Sequence, residues 1–448
     1  MVRSRAALVL VAVAAWAQLA GCASRPGDAS EASDPFSIAV IPDTQNYVDY
    51  RHQTGEGFAI DADALFLDQM RDIAGRSVER GGDVVFVASV GDVWQHQTEE
   101  MDPEHRARGF ESIENAFFAT EIEVTDKARS FEIPKAIEGY QILADAGLPF
   151  GVAPGNHDYD AMWSAQGFPP NLRKNPRELA MTPEDLGLIH IGGLDNFRSA
   201  FGSQSDFFHG KPWYVASFAG GANSAQSFRG GGYTFLHLAL QMQAPDEVLE
   251  WAESVLARFP GLPTIVTTHD YLDPHGIRRP NPIVDLVRID SEHHNSAEDL
   301  WQKLIRRHDQ IFLVLCGHQH GQSRRVDRND AGHPVHQLLA DYQDRGQVGV
   351  DAGQPPSRFT GRPIGIGDGW YRLMRFDLAA LPPRIRVTTY SSHYETTSRD
   401  LEPYAAWYRK GEQPELSDAG FHEADDFEIV LEGFAERFGP PDVKAAGP

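Results

Sequence analysis

Five short apolar runs, each ending in residues that favour metal ions, constrain this chain more than any other feature. Segment 36–41 runs into Asp43-Thr44-Gln45, 83–90 into Gly91-Asp92, and 149–153 into Gly155-Asn156-His157-Asp158. Segment 263–267 runs into His269-Asp270, and 310–316 into Gly317-His318-Gln319-His320. Runs this short, apolar throughout and rich in β-branched residues, predict buried strands. Further strands are expected at 233–240, 336–340, 369–376, 384–390 and 426–431. Helices intervene. Segment 245–259 sets Val248, Trp251, Ala252, Val255, Leu256 and Phe259 on one face, with Pro245, Asp246 and Glu247 in its first turn. Ser296 and Asp299 make a capping-box pattern ahead of Leu300, Leu304 and Ile305. Alternating strands and helices predict an α/β core.

Ligands of open α/β sheets bind beyond the carboxyl ends of the strands, so the five tips are expected to converge. Asp, Asn, Gln and His without thiolate suit Mn, Fe or Zn. Each tip alone has an ordinary reading. An Asp after a strand serves as a turn former or helix N-cap, Gly155-Asn156 as a turn, and His318 and His320 as surface histidines. Five in one chain, in this order and each on a strand end, favour a shared site.

Taken in order, the tips resemble the pattern of the calcineurin-like metallophosphoesterases: D-x-H, GD, GNH[DE], a lone His, then GHxH. The resemblance covers roughly residues 36–390. VIPDTQNY at 40–47 is similar to a bacterial subgroup carrying Gln where most members carry His, as are WAESVL from 251, ADYQ at 340–343 and GDGWYRLMRFD at 367–377. The resemblance implies a four-layer α/β/β/α sandwich of two mixed sheets. It also implies a site for two divalent or trivalent ions. Asp43, Gln45, Asp92 and His320 would hold the first ion; Asp92, Asn156, His269 and His318 the second, with Asp92 bridging. A water or hydroxide between the ions would attack the phosphorus of a phosphate ester in line. His157 would stand beside the phosphate as acid or cation. Asp158 would either orient that imidazole or make a turn hydrogen bond. Gln45 is neutral like the imidazole it replaces but a harder ligand, which leaves metal identity open among Mn, Fe and Zn. The substrate class also stays open: phosphate monoesters, or diesters such as nucleotides and lipid head groups. A non-catalytic metal- or phosphate-binding envelope protein is the alternative from another class, with Gln45 its only support.

Charge narrows the partners. With 40 Lys+Arg against 64 Asp+Glu the chain carries −24, which argues against a duplex nucleic acid partner. Two divalent ions against the carboxylates of Asp43 and Asp92 would still leave a local well of about +2 for a phosphate.

The N-terminus reads as an export signal at 1–21. Arg3 and Arg5 precede an apolar run at 6–20, shorter than the roughly 20 residues that span a bilayer. Leu19-Ala20-Gly21-Cys22 resembles a bacterial lipobox, so Cys22 is expected to carry the lipid and 22–35 to form a flexible tether. The chain would then be anchored in the bacterial cell envelope, facing the periplasm or the exterior. The phosphoesterase domain is expected at 36–433, with insertions at 95–134 and 159–232 and a frayed tail at 434–448. Arg278-Arg279 reads as surface charge, Arg324-Arg325 as surface charge or the rim of the site, and His293-His294 as solvated. Cys316 reads as an inert buried thiol. Asn223 and Tyr342 could touch substrate.

Overall fold

A computed structural model describes residues 34–119, 122–173, 182–358 and 360–439 of the chain. Cys22, the signal expected at 1–21 and most of the tether expected at 22–35 lie outside the described residues, as do 440–448. Three parallel strands, β1 (Phe36–Ile41), β2 (Val84–Ser89) and β3 (Phe150–Val152), lie side by side in the first sheet. Trp370–Asp377 pairs antiparallel with β1, and Arg384–Ser391 follows, flanked by Thr396–Thr397 and Asp426–Val430. The second sheet has four parallel strands at its centre: β4 (Tyr233–Leu240), β5 (Thr264–Thr268), β6 (Ile311–Cys316) and β7 (Pro334–Asp341). Antiparallel strands close both its sides, Gly321–Arg328 next to β7 and Asn223–Gly230 with Tyr214–Phe218 next to β4. Both sheets are mixed, and among the described residues each has seven strands.

Alternation along β1 shows why the sheets stack. Phe36, Ile38 and Val40 point into the core between the sheets, while Ala39 and Ile41 point to the helix-covered face. A strand apolar on both faces belongs at the centre of a parallel sheet. Opposite it, Phe228, Phe235, Ile265, Phe312 and Leu313 come from the second sheet. Phe36 stacks on Phe376 with ring centroids 4.8 Å apart, and Phe86 on Phe228 at 4.4 Å. Truncating a ring such as Phe86 to Ala would cost about 3–5 kcal/mol.

Helices α1 (Ala62–Gly75) and α2 (Ile133–Asp145) cover the first sheet; α3 (Asp246–Arg258) and α4 (Ala297–Lys303) cover the second. Helix α3 buries Val248, Leu249, Ala252, Val255 and Leu256, the stripe its period predicts. The box at α4 closes reciprocally: Asp299 N donates to Ser296 Oγ at 3.1 Å, and Ser296 N to Asp299 Oδ2 at 3.0 Å. The result is the four-layer α/β/β/α arrangement of two mixed sheets.

Two stretches differ from their sequence reading. Within 159–232, Tyr214–Phe218 and Asn223–Gly230 do not cover the sandwich but complete its second sheet. Asn223–Gly230 buries Asn223, Ser224 and Gln226, so no apolar alternation announces it. In the tail, Phe434–Phe438 forms a helical turn whose Phe434 packs on Tyr233 and Phe312, at 5.3 and 5.6 Å. Among the described residues, no helix is long and apolar enough to cross a membrane.

Candidate metal centre

The five strand tips meet at one edge of the sandwich. Two of them hold non-glycine residues in left-handed backbone, Asp92 at φ 49° and His318 at φ 70°. Such conformations cost of order 1–3 kcal/mol and persist where surrounding structure fixes them. Glycines make the room. A Cβ on Gly155 would stand 2.2 Å from Asp92 Oδ1, and one on Gly317 only 2.1 Å from Asp43 Oδ1.

His269 sits at the centre. Its Nδ1 lies 2.9 Å from the Val90 carbonyl, which can only accept, so Nδ1 carries the proton and Nε2 faces the cluster. That Nε2 is 3.1 Å from Asp92 Oδ2, 3.2 Å from Asn156 Oδ1 and 3.8 Å from Asp43 Oδ2. The His318 ring stands 4.8 Å from that of His269, and its backbone N–H donates to Asp43 Oδ2 at 3.1 Å. Ligand atoms of Asp92, His269 and His318 lie within 4.8 Å of one another. Asp43 Oδ1, Gln45 Oε1 and His318 Nε2 are all buried without a hydrogen-bond partner. Orphans of this kind are costly unless something binds them.

The electrostatics fit a cation. Burial, then the neighbouring Asp341, pushes the Asp43 carboxyl well above its ordinary range. Burial opposes charge on His269 too, yet Asp92 and then Asp43 hold its imidazole protonated, up to about 10. Burial and the charge on His269 push His318 well below its usual value, leaving it a neutral donor.

Gln45 turns its Nε2 to Asp92 Oδ2, at 3.3 Å, and to Gln343 Oε1. Gln343 in turn donates Nε2 to Asp341 Oδ2 at 3.1 Å. His320 lies at the mouth, its side chain 48% exposed, with Nδ1 2.8 Å from Asp344 Oδ2. The structure therefore brings Asp43, Gln45, Asp92, Asn156, His269 and His318 together below the surface, with His320 above them in the same cleft.

His157 lines that cleft. Its backbone N–H donates to Asp92 Oδ1 at 2.8 Å, and its Nδ1 lies 2.6 Å from the Gln95 carbonyl. Nδ1 is then the donor, and Nε2 is the nitrogen left to exchange a proton. Asp158 does not hold this imidazole. Its two oxygens accept from Val93 N and Gly155 N, both at 2.8 Å, which is the turn use. Burial, then the Asp92 carboxylate, pushes Asp158 up to about 7.

Asp341, Gln343 and Asp344 are the residues a reading of five tips missed. β7 also ends in a polar tip, Asp341-Tyr342-Gln343, so the rule that finds the others finds these. The added acids change the charge balance, because two divalent ions would meet four carboxylates and leave no formal excess. Other readings also change. Tyr342 is buried and bonds Asp425 and Thr389, each at 2.8 Å, away from the cleft. Asn223 bonds Gln241 at 2.8 Å. Arg324 lies over Phe427 and Arg325 bonds Asp327; neither lines the cleft. Arg278 is not free surface charge: it packs over Trp301 and pairs with Asp327 at 2.5 Å. Cys316 is a free, buried thiol.

The cleft measures about 690 Å³. Besides the metal-favouring residues, His52, Phe58, Phe118, Met162, Ile189 and Asn281 line it.

No family model matches the chain. The uncharacterized protein YvnB of Bacillus subtilis (strain 168) is 26% identical over 278 residues, 60% of this chain and 16% of that protein. The chain thus spans about a sixth of that relative's length. Among solved structures, a dimetal phosphatase from Danio rerio superposes with a TM-score of 0.38 at 12% identity, over 80% of this chain and 97% of that one. GAP50, the anchor in the inner membrane complex of Plasmodium, gives 0.35 at 11% identity, over 81% and 86%.

Proposed function

We propose that the chain is a metal-dependent phosphoesterase that hydrolyses phosphate esters at a two-ion centre. One observation carries the reading. Asp43, Asp92 and Asp341 are buried close to one another and to His269, beneath a cleft lined by Asp92, Asn156 and His318, and three ligand atoms there are orphaned. Like charges stacked below the surface are unfavourable unless cations offset them. The donor set fits Mn, Fe or Zn: oxygen and imidazole nitrogen without thiolate.

Asp43, Gln45, Asp92 and His320 would hold one ion; Asp92, Asn156, His269 and His318 the other. Bound there, the ions supply Lewis-acid polarisation of phosphoryl oxygens and activate water for in-line attack. The protein's own groups do the rest. Asp92 is fixed through Oδ1 by the His157 N–H, which keeps the shared carboxylate and the imidazole in register. Donation of Nδ1 to the Gln95 carbonyl leaves His157 Nε2 for the oxygen of the departing group, to which the doubly protonated ring would give its Nε2 proton, returning to the neutral Nδ1–H form. We extend the proposal to the envelope: lipid on Cys22 would tether the domain 36–433 to a membrane through 22–35.

The test is hydrolysis of an aryl phosphate monoester and diester by the purified chain with Mn²⁺, alongside its metal content. Turnover of either ester is expected, and Asp92→Asn should lose both turnover and metal. Two bound ions with neither ester hydrolysed would overturn the reading, as would an active Asp92→Asn.

A further inference from the structure

A second group of metal-favouring side chains lies outside the cleft chemistry. His105 stands on the short helix Pro103–Ala107, His190 on the strand Ile189–Gly192, and Asp290 just after the helix Leu286–Ile289. All three are at least nine-tenths buried, at 8%, 0% and 8% exposure. One ligand atom from each lies within 4.8 Å of the other two. The rings of His105 and His190 are 4.6 Å apart, and the His294 ring is 5.8 Å from His190.

The two imidazoles are in the same state. His105 Nε2 and His190 Nε2 are both buried and both without a hydrogen-bond partner. They do not satisfy each other, although the rings are in contact. Their other nitrogens are held. His105 Nδ1 is 2.7 Å from the Asp102 carboxylate, and His190 Nδ1 is 2.8 Å from both the backbone O and the backbone N of Ile191. The His190 Nδ1 can accept from the Ile191 N–H or donate to the Ile191 carbonyl, and in the second arrangement His190 presents a bare Nε2 lone pair. Carboxylate or carbonyl behind one nitrogen and a metal on the other is how protein imidazoles bind metal ions. Gly192 is needed for this packing, since a Cβ there would meet Asp102 Oδ2 at 1.8 Å and His105 Nδ1 at 2.7 Å.

We propose that His105, His190 and Asp290 bind a single divalent transition-metal ion, Zn²⁺ by their chemistry, at a buried site separate from the cleft. Two imidazoles and one carboxylate without thiolate are borderline donors suited to zinc. Around the site, Arg108 bonds Asp290 Oδ2 at 2.5 Å and His293 Nδ1 bonds Oδ1 at 3.0 Å, which orients the carboxylate and leaves lone pairs on both oxygens. His294 donates Nδ1 to the Gln243 carbonyl at 3.2 Å and is the imidazole next nearest. Trp163 stacks on His190 at 4.8 Å and closes one side. The ion would cross-link three segments far apart in sequence. Ile189, beside His190, lines the cleft, so the cross-link would also stiffen a wall of the substrate site.

The test counts zinc per chain by elemental analysis after equilibration with buffered Zn²⁺. It uses the full chain and the full chain carrying Asp92→Asn, which weakens the main centre. His190→Gln is expected to lower the zinc count by one in both backgrounds, and His105→Gln to do the same. Circular dichroism checks folding, and Asp290→Asn, a milder change, replaces any variant that does not fold. Zinc counts equal to the parent's in folded variants of this group would overturn the proposal, whatever the fate of the phosphoesterase reading. Loss of the cleft metals alone, with the zinc sensitive to these variants retained, would leave this site standing while the main centre fails.

Discussion

Gln343 sets its amide oxygen on the amide nitrogen of Gln45, and this contact decides which end of Gln45 can reach a cation. The Asp341 carboxylate only accepts, so Gln343 must turn Nε2 towards it and Oε1 away. Gln45 then has to turn Nε2 to Gln343, and its buried, unpartnered Oε1 is the atom left for an ion. Asp341→Asn removes the constraint, because an amide can serve either orientation. Affinity for one of the two ions should fall about 10–100-fold, the usual effect of losing an orienting partner. Mn²⁺ titration followed by electron paramagnetic resonance reads it; two unchanged affinities would end the relay.

The hydrogen bond of His157 to Asp92 runs through its backbone N–H and its Nδ1 is held by the Gln95 carbonyl, so the imidazole stands outside the proposed ligand set. His157→Ala should keep both ions and lower kcat by about 10²–10⁴-fold. A variant that loses metal along with rate would make His157 a ligand instead.

Gly317→Ala tests the close packing. The added methyl would meet Asp43 Oδ1 at 2.1 Å and Val90 Cγ2 at 2.6 Å. Metal content should drop sharply while far-ultraviolet circular dichroism stays that of the parent. Full metal loading in this variant would show that Asp43 can move without loss.

His237 predicts acid sensitivity. It is buried between Gln226 and Thr267, at 2.7 and 2.8 Å, and burial pushes it down to about 3 from 6.5. Below 6.5 the unfolded chain takes up a proton that the folded chain refuses, so stability is present above 6.5 and is lost as pH falls. At pH 5 the loss from this group is about 2 kcal/mol. Denaturant midpoints at pH 7 and pH 5 should therefore differ less in His237→Gln than in the parent. Equal differences would remove His237 from the acid response.

Much of the fold can be read from local pattern. Strands of the first sheet declare themselves as short continuous apolar runs buried on both faces, and helix α3 through its period, because each buries apolar surface that water would otherwise meet. Asn223–Gly230 does not, since its inward residues are amides and hydroxyls satisfied only by distant partners, such as Gln226 by His237. The tips Asp43, Asp92, Asn156, His269 and His318 are equally local, each following its strand. Asp341 follows the same rule, standing at the last residue of its own strand, one position beyond the apolar run 336–340.

By itself, the sequence determined the α/β class and which residue types stand at the strand ends, because strand and helix patterns and strand termini are properties of neighbouring residues. Only the tertiary structure decided what those residues do. It turned Asp158 to backbone donors and placed two further acids, Asp341 and Asp344, beside the cleft. It also gathered His105, His190 and Asp290, which lie about a hundred residues apart in succession along the chain, into one buried group. Hydrogen-bond orientation and the summed charge of a pocket depend on atoms that meet only after the chain has closed, and no window of sequence contains them.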